Sequence, residues 1–205
     1  MNQNLIVSSV LLSSSLFYTG CMQKSLPIAH NSAVETQTVV QPRVPSTTVE
    51  AVSRYTPQNK YRQMKTVQGG SITVGEHSRG FEFPQYKGKI VLLDFFGKEC
   101  HYCFEEMPTI TKIQNRYRDR LSVIAIQASP PMAKGQAQRL IQEHNMNYPI
   151  IDQDEAKSIL IYLRDVYHWR GILPYIMLIK DGQIEQVFQG AKSFEEISQG
   201  IKEIR

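Results

Sequence analysis

Seven consecutive residues, Ile90 to Phe96 (IVLLDFF), constrain this chain more than any other stretch, because a strand apolar on both faces must be covered on both sides. Gly97-Lys98-Glu99 follow, then two cysteines two residues apart, Cys100 and Cys103. Beyond them Phe104, Met107, Ile110, Ile113 and Tyr117 recur at steps of three and four, the buried stripe of a helix. Pro108 falls inside that stripe, where loss of a backbone hydrogen bond predicts a kink. A buried strand that turns through a cysteine pair into an amphipathic helix belongs to an α/β domain.

The remaining pattern extends this unit. LSVIAIQA (Leu121 to Ala128) predicts a second buried strand, followed by a helix from about Ala133 to Asn145. YPIID predicts a short strand, and DEAKSILIYLRDVYHW a helix. YIMLIK and QIEQVFQ flank Asp181-Gly182, a two-residue loop that signals a hairpin. Ser193 and Glu196 form a capping box that opens the last helix, SFEEISQGIKEIR. Upstream, KTVQGGSITV and GFEFPQY, punctuated by Gly69-Gly70 and Gly80, predict a small hairpin. The expected architecture is α/β, a mixed central β-sheet flanked by helices with an N-terminal hairpin extension.

The 205 residues, 41% of them hydrophobic, suffice for one core of ordinary size. A net charge of +4 is spread without a Lys/Arg block, which gives no support to nucleic acid as a partner. At the N-terminus, Leu5 to Tyr18 is an apolar run of 14 residues, too short for a spanning helix of ~20 but suited to a signal sequence. Thr19 and Gly20 then lead into Cys21, an arrangement that resembles a bacterial lipoprotein signal, with Cys21 as the lipid-bearing residue. A plain secretory signal and an uncleaved anchor are the alternatives, and all three place the domain outside the cytoplasm. Residues 21–60, rich in Ser, Thr, Gln, Val and Pro, read as a flexible tether with a reach on the order of 35 Å. The expected organisation is a signal peptide over 1–20, this tether, and one domain over 61–205.

Cys100 and Cys103 admit three readings. A structural zinc site needs four ligands, and His77, His101, His144 and His168 offer no second paired spacing. A purely structural disulfide across so short a loop would constrain the unfolded chain little. A redox pair accounts for the placement: a cysteine between a strand and a helix N-terminus faces unpaired N–H groups and the positive end of the helix dipole, which favour the thiolate. Cys100 is then the exposed nucleophile. Cys103, one turn into the helix and more shielded, attacks the mixed disulfide that Cys100 forms with a partner.

The segments KGKIVLLDFFGKECHYCFEEMP and GILPYIMLIKDGQI resemble the thioredoxin superfamily, and within it the membrane-anchored, extracytoplasmic proteins of the TlpA/ResA and CcmG kind; the similarity covers roughly residues 61–205. The resemblance implies a thioredoxin-like fold in which Pro174 is a cis-proline lying against the disulfide, with Leu173 presenting its backbone to an incoming peptide. It implies that Glu106 is the acidic residue of a CxxCxxExP pattern and handles a proton near the thiols. Asp94 matches the buried acid of thioredoxin itself, at a position where the TlpA/ResA kind usually carries a neutral residue; desolvation should raise its pKa and make it a proton acceptor for Cys103.

There are departures from the family pattern. Phe96 and Glu99 stand where Trp is frequent, Leu173 stands where Thr is common, and His101-Tyr102 between the cysteines is not the dipeptide of a well-known subgroup. A carboxylate at Glu99 disfavours the Cys100 thiolate, whereas protonated His101 favours it. His101, Tyr102, Leu173 and Pro174 are the expected substrate-contacting residues.

The implied function is a thiol–disulfide oxidoreductase without a bound cofactor or metal. It would act on cysteine-containing proteins, face the periplasm from a lipid anchor and exchange electrons with a membrane partner, with a lean towards reduction. Oxidase or isomerase activity is the near alternative. A copper(I)-binding metallochaperone module is the alternative of another class, since thiolates suit that ion.

Overall fold

The computed structural model describes Thr56 and residues 60–205; the expected signal segment, Cys21 and residues 22–55 lie outside them. Three short strands come first: β1 (Tyr61–Lys65), β2 (Ser71–His77) and β3 (Gly80–Glu82), antiparallel in the order β1-β2-β3. The expected hairpin is therefore a three-stranded sheet. The end of GFEFPQY leaves it as a 3-10 turn over Pro84–Tyr86, because Pro84 supplies no ladder N–H and starts a turn readily.

The main sheet follows with β4 (Ile90–Phe96), α1 (His101–Tyr117), β5 (Leu121–Gln127), α2 (Gln136–Glu143), β6 (Ile150–Ile151), α3 (Lys157–Val166), β7 (Tyr175–Lys180), β8 (Gln183–Gln189) and α4 (Phe194–Glu203). Its strand order is β6-β5-β4-β7-β8. β4 runs parallel to β5 and antiparallel to β7, so the sheet is mixed and β4 lies at its centre. All seven residues of β4 are buried, the apolar ones as a strand covered on both faces requires and Asp94 with them.

Strand alternation divides the interior in two. Ile90, Leu92 and Phe96 pack with Met107, Ile110 and Ile113 of α1 and Ile197 and Ile201 of α4. Val91, Leu93 and Phe95 point the other way, onto Ile159, Tyr162 and Leu163 of α3 and onto Val74 and Phe81 of the small sheet. Each fully buried side chain of this size contributes about 1.5–3 kcal/mol. The rings of Phe81 and Tyr162, with centroids 4.6 Å apart, join the small sheet to α3.

Several element ends differ from the sequence reading, each for a local reason. α2 is shorter than Ala133–Asn145: Gly135 precedes it at φ 77°, and Asn145 ends it at φ 50° with the Met146 N–H donating to Ile141 O. α3 starts at Lys157 because the chain before it turns on Asp152, whose carbonyl accepts from the Glu155 and Ala156 N–H groups. It stops before His168, which takes φ 52°. Only Ile150 and Ile151 of YPIID pair with β5. α1 continues through Pro108 without a break; the proline is on the exposed side, where water can reach the carbonyl it leaves free. The Asp181-Gly182 loop has φ 48° and 83°, the positive pair that a tight hairpin needs. The Ser193–Glu196 capping box is formed in both directions.

Candidate active site

Cys100 is the N-cap of α1 in extended conformation, and its Sγ accepts the Cys103 N–H at 3.3 Å. The two cysteines form a disulfide with an S–S distance of 2.09 Å. Cys100 is partly exposed, while Cys103 is 2% exposed and packs with Phe96 and Met107 in the α1-side core. The strand, the cap and the helical turn thus present one sulfur to solvent and bury the other.

Gly97 makes this turn possible. A Cβ there would lie 3.2 Å from Leu173 Cδ1 and 3.3 Å from Cys100 Cβ, both tighter than ordinary contact. The Leu173-Pro174 peptide bond is cis, and the approach of Leu173 Cδ1 to Gly97 shows the segment before β7 lying against the cysteine loop. Gly97 was not among the residues expected from sequence to matter. Its position between a buried strand and a cysteine pair was the available signal.

The inner side of the site holds two acids. Asp94 belongs to the alternate set Ile90, Leu92 and Phe96, so it faces α1, and it is 2% exposed. Burial, reinforced by the Glu106 carboxylate, raises its pKa well above the usual range. Glu106, three residues after Cys103 on α1, is 3% exposed; its Oε1 accepts the Lys192 N–H at 2.7 Å, whereas Oε2 has no hydrogen-bond partner among the described residues. Burial pushes Glu106 up to about 7 against the opposing pull of that N–H. Tyr148 closes the same region, its hydroxyl pKa raised by burial and by Asp94. The sequence reading did not single out Tyr148 or Lys192, because their approach depends on loops far from the cysteines in sequence.

The outer side is polar and open. His101 Nε2 lies 3.2 Å from Glu105 Oε1, an exposed pair that is ionic when the imidazole is protonated. Tyr102 is 64% exposed, Leu173 is half-buried between the two cores, and Glu99 is exposed. Among the described residues no three His, Cys, Asp or Glu side chains cluster as metal ligands, and no helix is long and apolar enough to cross a membrane. Chemically, the arrangement offers an accessible sulfur, a shielded second sulfur, and carboxyls able to hold or take a proton behind it.

Comparison with known proteins agrees with this geometry. A model of the AhpC/TSA family matches residues 66–187. The thiol-disulfide oxidoreductase YkuV of Bacillus subtilis (strain 168) is 24% identical over 120 residues, 57% of this chain and 77% of YkuV. The thiol-disulfide oxidoreductase ResA of Bacillus thuringiensis subsp. konkukian is 24% identical over 127 residues, 60% of this chain and 68% of ResA. Among solved structures, StoA from Bacillus subtilis superposes with a TM-score of 0.53 at 18% identity, covering 71% of this chain and 98% of StoA; that likeness is one of fold. The thioredoxin-like fold expected from the sequence is the fold observed.

Proposed function

Since the chain belongs to the AhpC/TSA family and is a thiol–disulfide oxidoreductase, we propose that it reduces disulfides of protein substrates outside the cytoplasm, with Cys100 as the attacking sulfur. The observation that carries this reading is the asymmetry of the pair: Cys100 is accessible beside the cis Leu173-Pro174 bond, and Cys103 is buried beside two carboxyls.

In the reductive direction the Cys100 thiolate attacks one sulfur of a substrate disulfide. A Cys100–substrate disulfide forms, and the displaced substrate sulfur leaves as a thiolate that takes up a proton. Cys103 then gives its proton to a carboxylate of the Asp94–Glu106 pair and attacks the Cys100 sulfur. The Cys100–Cys103 disulfide closes and the second substrate sulfur departs, so two electrons have passed from the dithiol to the substrate. A membrane electron donor restores the dithiol. His101, Tyr102, Leu173 and Pro174 frame the face on which the substrate approaches.

The electrostatics favour reduction over oxidation. A strong oxidant needs its thiolate stabilised, so that the reduced form is preferred. Here Cys100 has the helix end and one N–H, but Glu99 precedes it and His101 is drawn to Glu105. Behind Cys103, any ionised carboxylate repels a second thiolate.

We further propose the organisation read from the sequence: a lipoprotein-type signal over 1–20, a lipid on Cys21, a tether to residue 60, and the domain facing the periplasm. Two measurements test the proposal. The reduced chain should cleave insulin disulfides, and no cleavage above a dithiol blank would overturn the activity in this direction. Radioactive palmitate should label the chain through Cys21, and an unlabelled chain would overturn the anchor.

A further inference from the structure

Along α3, between the chain that follows β5 and the loop before β7, lies an open cavity of about 590 Å³. Its apolar wall comprises Ala128, Leu160, Ile161 and Trp169, and Lys157 and Arg170 line its rim. Trp169 is a fixed wall: its indole N–H donates to Ile172 O at 3.1 Å, and its ring packs 6.1 Å from Phe95 and 5.8 Å from Tyr175 between centroids. Ile161 in this wall is left 40% exposed, and Ile172, next to the lining residue Gly171, 51%.

The cavity is continuous with the reactive end of the sheet. Ala128 N–H donates to Phe96 O at 2.8 Å, which puts that wall at the end of β4 from which the cysteine loop departs. Ser129, the next residue, accepts the Lys98 N–H at 3.1 Å. On the other side, Gly171 lines the cavity and stands two residues before Leu173, next to the cis bond. A protein segment with its cysteine at Cys100 would therefore carry its neighbouring residues over this surface.

The charge of the rim selects what can lie there. A third cation, Arg164, lines the cavity but is held by Asp165 through contacts of 2.6 and 3.1 Å, which offset its charge. Lys157 and Arg170 are exposed and have no ion pair among the described residues. Apolar floor and cationic rim together match a segment that alternates large apolar and acidic residues.

We propose that this cavity is the subsite by which the enzyme selects its protein substrates, taking an acidic, apolar segment that flanks the reacting cysteine. The inference rests on the oxidoreductase reading and adds substrate class to it. Lys157, Arg170 and the apolar wall bind and orient the segment and take no part in sulfur chemistry.

The test uses the full chain, recycled by dithiothreitol, and two synthetic peptides whose single cysteine is disulfide-bonded to thionitrobenzoate. One peptide has Asp and Leu around the cysteine, the other Lys and Leu. The wild type should show a KM about tenfold lower for the acidic peptide, a preference that collapses in molar salt. The double variant Lys157→Glu/Arg170→Glu should reverse the order, with the rate on the small neutral bis(2-hydroxyethyl) disulfide unchanged; both positions are exposed, so folding is preserved. Equal KM values in the wild type, or a preference that survives the charge reversal, would overturn the subsite. Competition by anionic phosphatidylglycerol vesicles with no discrimination between peptides would assign the surface to lipid and overturn it too. If bis(2-hydroxyethyl) disulfide and both peptides all fail to react, the oxidoreductase reading falls and the subsite with it.

Discussion

The two faces of the central sheet are built from the same strands and differ in what the central strand β4 places on them. On the α3 face, β4 contributes Val91, Leu93 and Phe95 to an apolar layer with Ile124, Ile126 and Met177. On the α1 face, the alternate positions Ile90, Leu92 and Phe96 are interrupted by Asp94, and α1 adds Glu106. Burying a carboxyl costs stability that an apolar residue at the same position would not. On the α3 face β4 is therefore organised for cohesion, and the buried acid near it, Glu76, belongs to the small sheet. The α1 face gives up part of that cohesion by burying Asp94 and Glu106 on the side of the helix that carries Cys103.

The difference can be broken from either side. Cys100→Ser should abolish turnover entirely. Cys103→Ser should instead stall the reaction as a persistent Cys100–substrate disulfide, seen by mass spectrometry of the non-reduced product. If both variants lose the first attack equally, the outer and inner roles are wrongly assigned.

On the apolar face, Phe95→Ala should cost about 3–5 kcal/mol in denaturant unfolding. The potential of the cysteine couple in the remaining folded protein should hardly move. A large change in potential would show that the α3 face also tunes the chemistry.

On the acidic face, pH provides the probe. Glu106 titrates at about 7 in the folded chain against an ordinary value of 4.5, so folding favours its protonated form. Stability is then highest below the unfolded value, falls as pH rises from about 4.5 to 7, and levels off above that, with a total loss of about 3 kcal/mol. Asp94 is shifted in the same direction and adds to the slope. Glu106→Gln should remove its share, and an unchanged pH profile would show that its burial does not perturb it.

The smallest of these effects should come from Asp94→Asn. Stability should hold or rise, because a buried ionisable group becomes neutral. Turnover at neutral pH should slow on the order of a hundredfold, the scale of lost general-base assistance. A normal rate would remove Asp94 from the mechanism.

Much of this architecture was legible in the sequence because its signals are local. The unbroken run of β4 required cover on both faces, the stripe on α1 marked its buried side, and Asp181-Gly182 and Ser193–Glu196 announced a turn and a cap that formed as expected. The cysteine pair and the cis bond at Pro174 were legible through spacing and resemblance. Illegible features depend on distant segments. Most of β1 lies ahead of the KTVQGGSITV segment that signalled the hairpin, and helix ends at Gly135 and His168 turn on backbone conformation. At the site, Glu106 was legible through the resemblance, but its hydrogen bond from the Lys192 N–H depends on a distant loop. The cavity beside Trp169 joins residues that follow β5 and β6 with others from α3 and the loop before β7, which share no motif.

The reduction potential of the Cys100–Cys103 couple, measured in the full chain equilibrated against defined thiol buffers, tests the central claim most directly. A dithiol whose thiolates are poorly stabilised should have a potential near or below about −270 mV, where thioredoxin lies. A value of about −120 to −180 mV, the range of disulfide donors and isomerases, would contradict the reductive assignment.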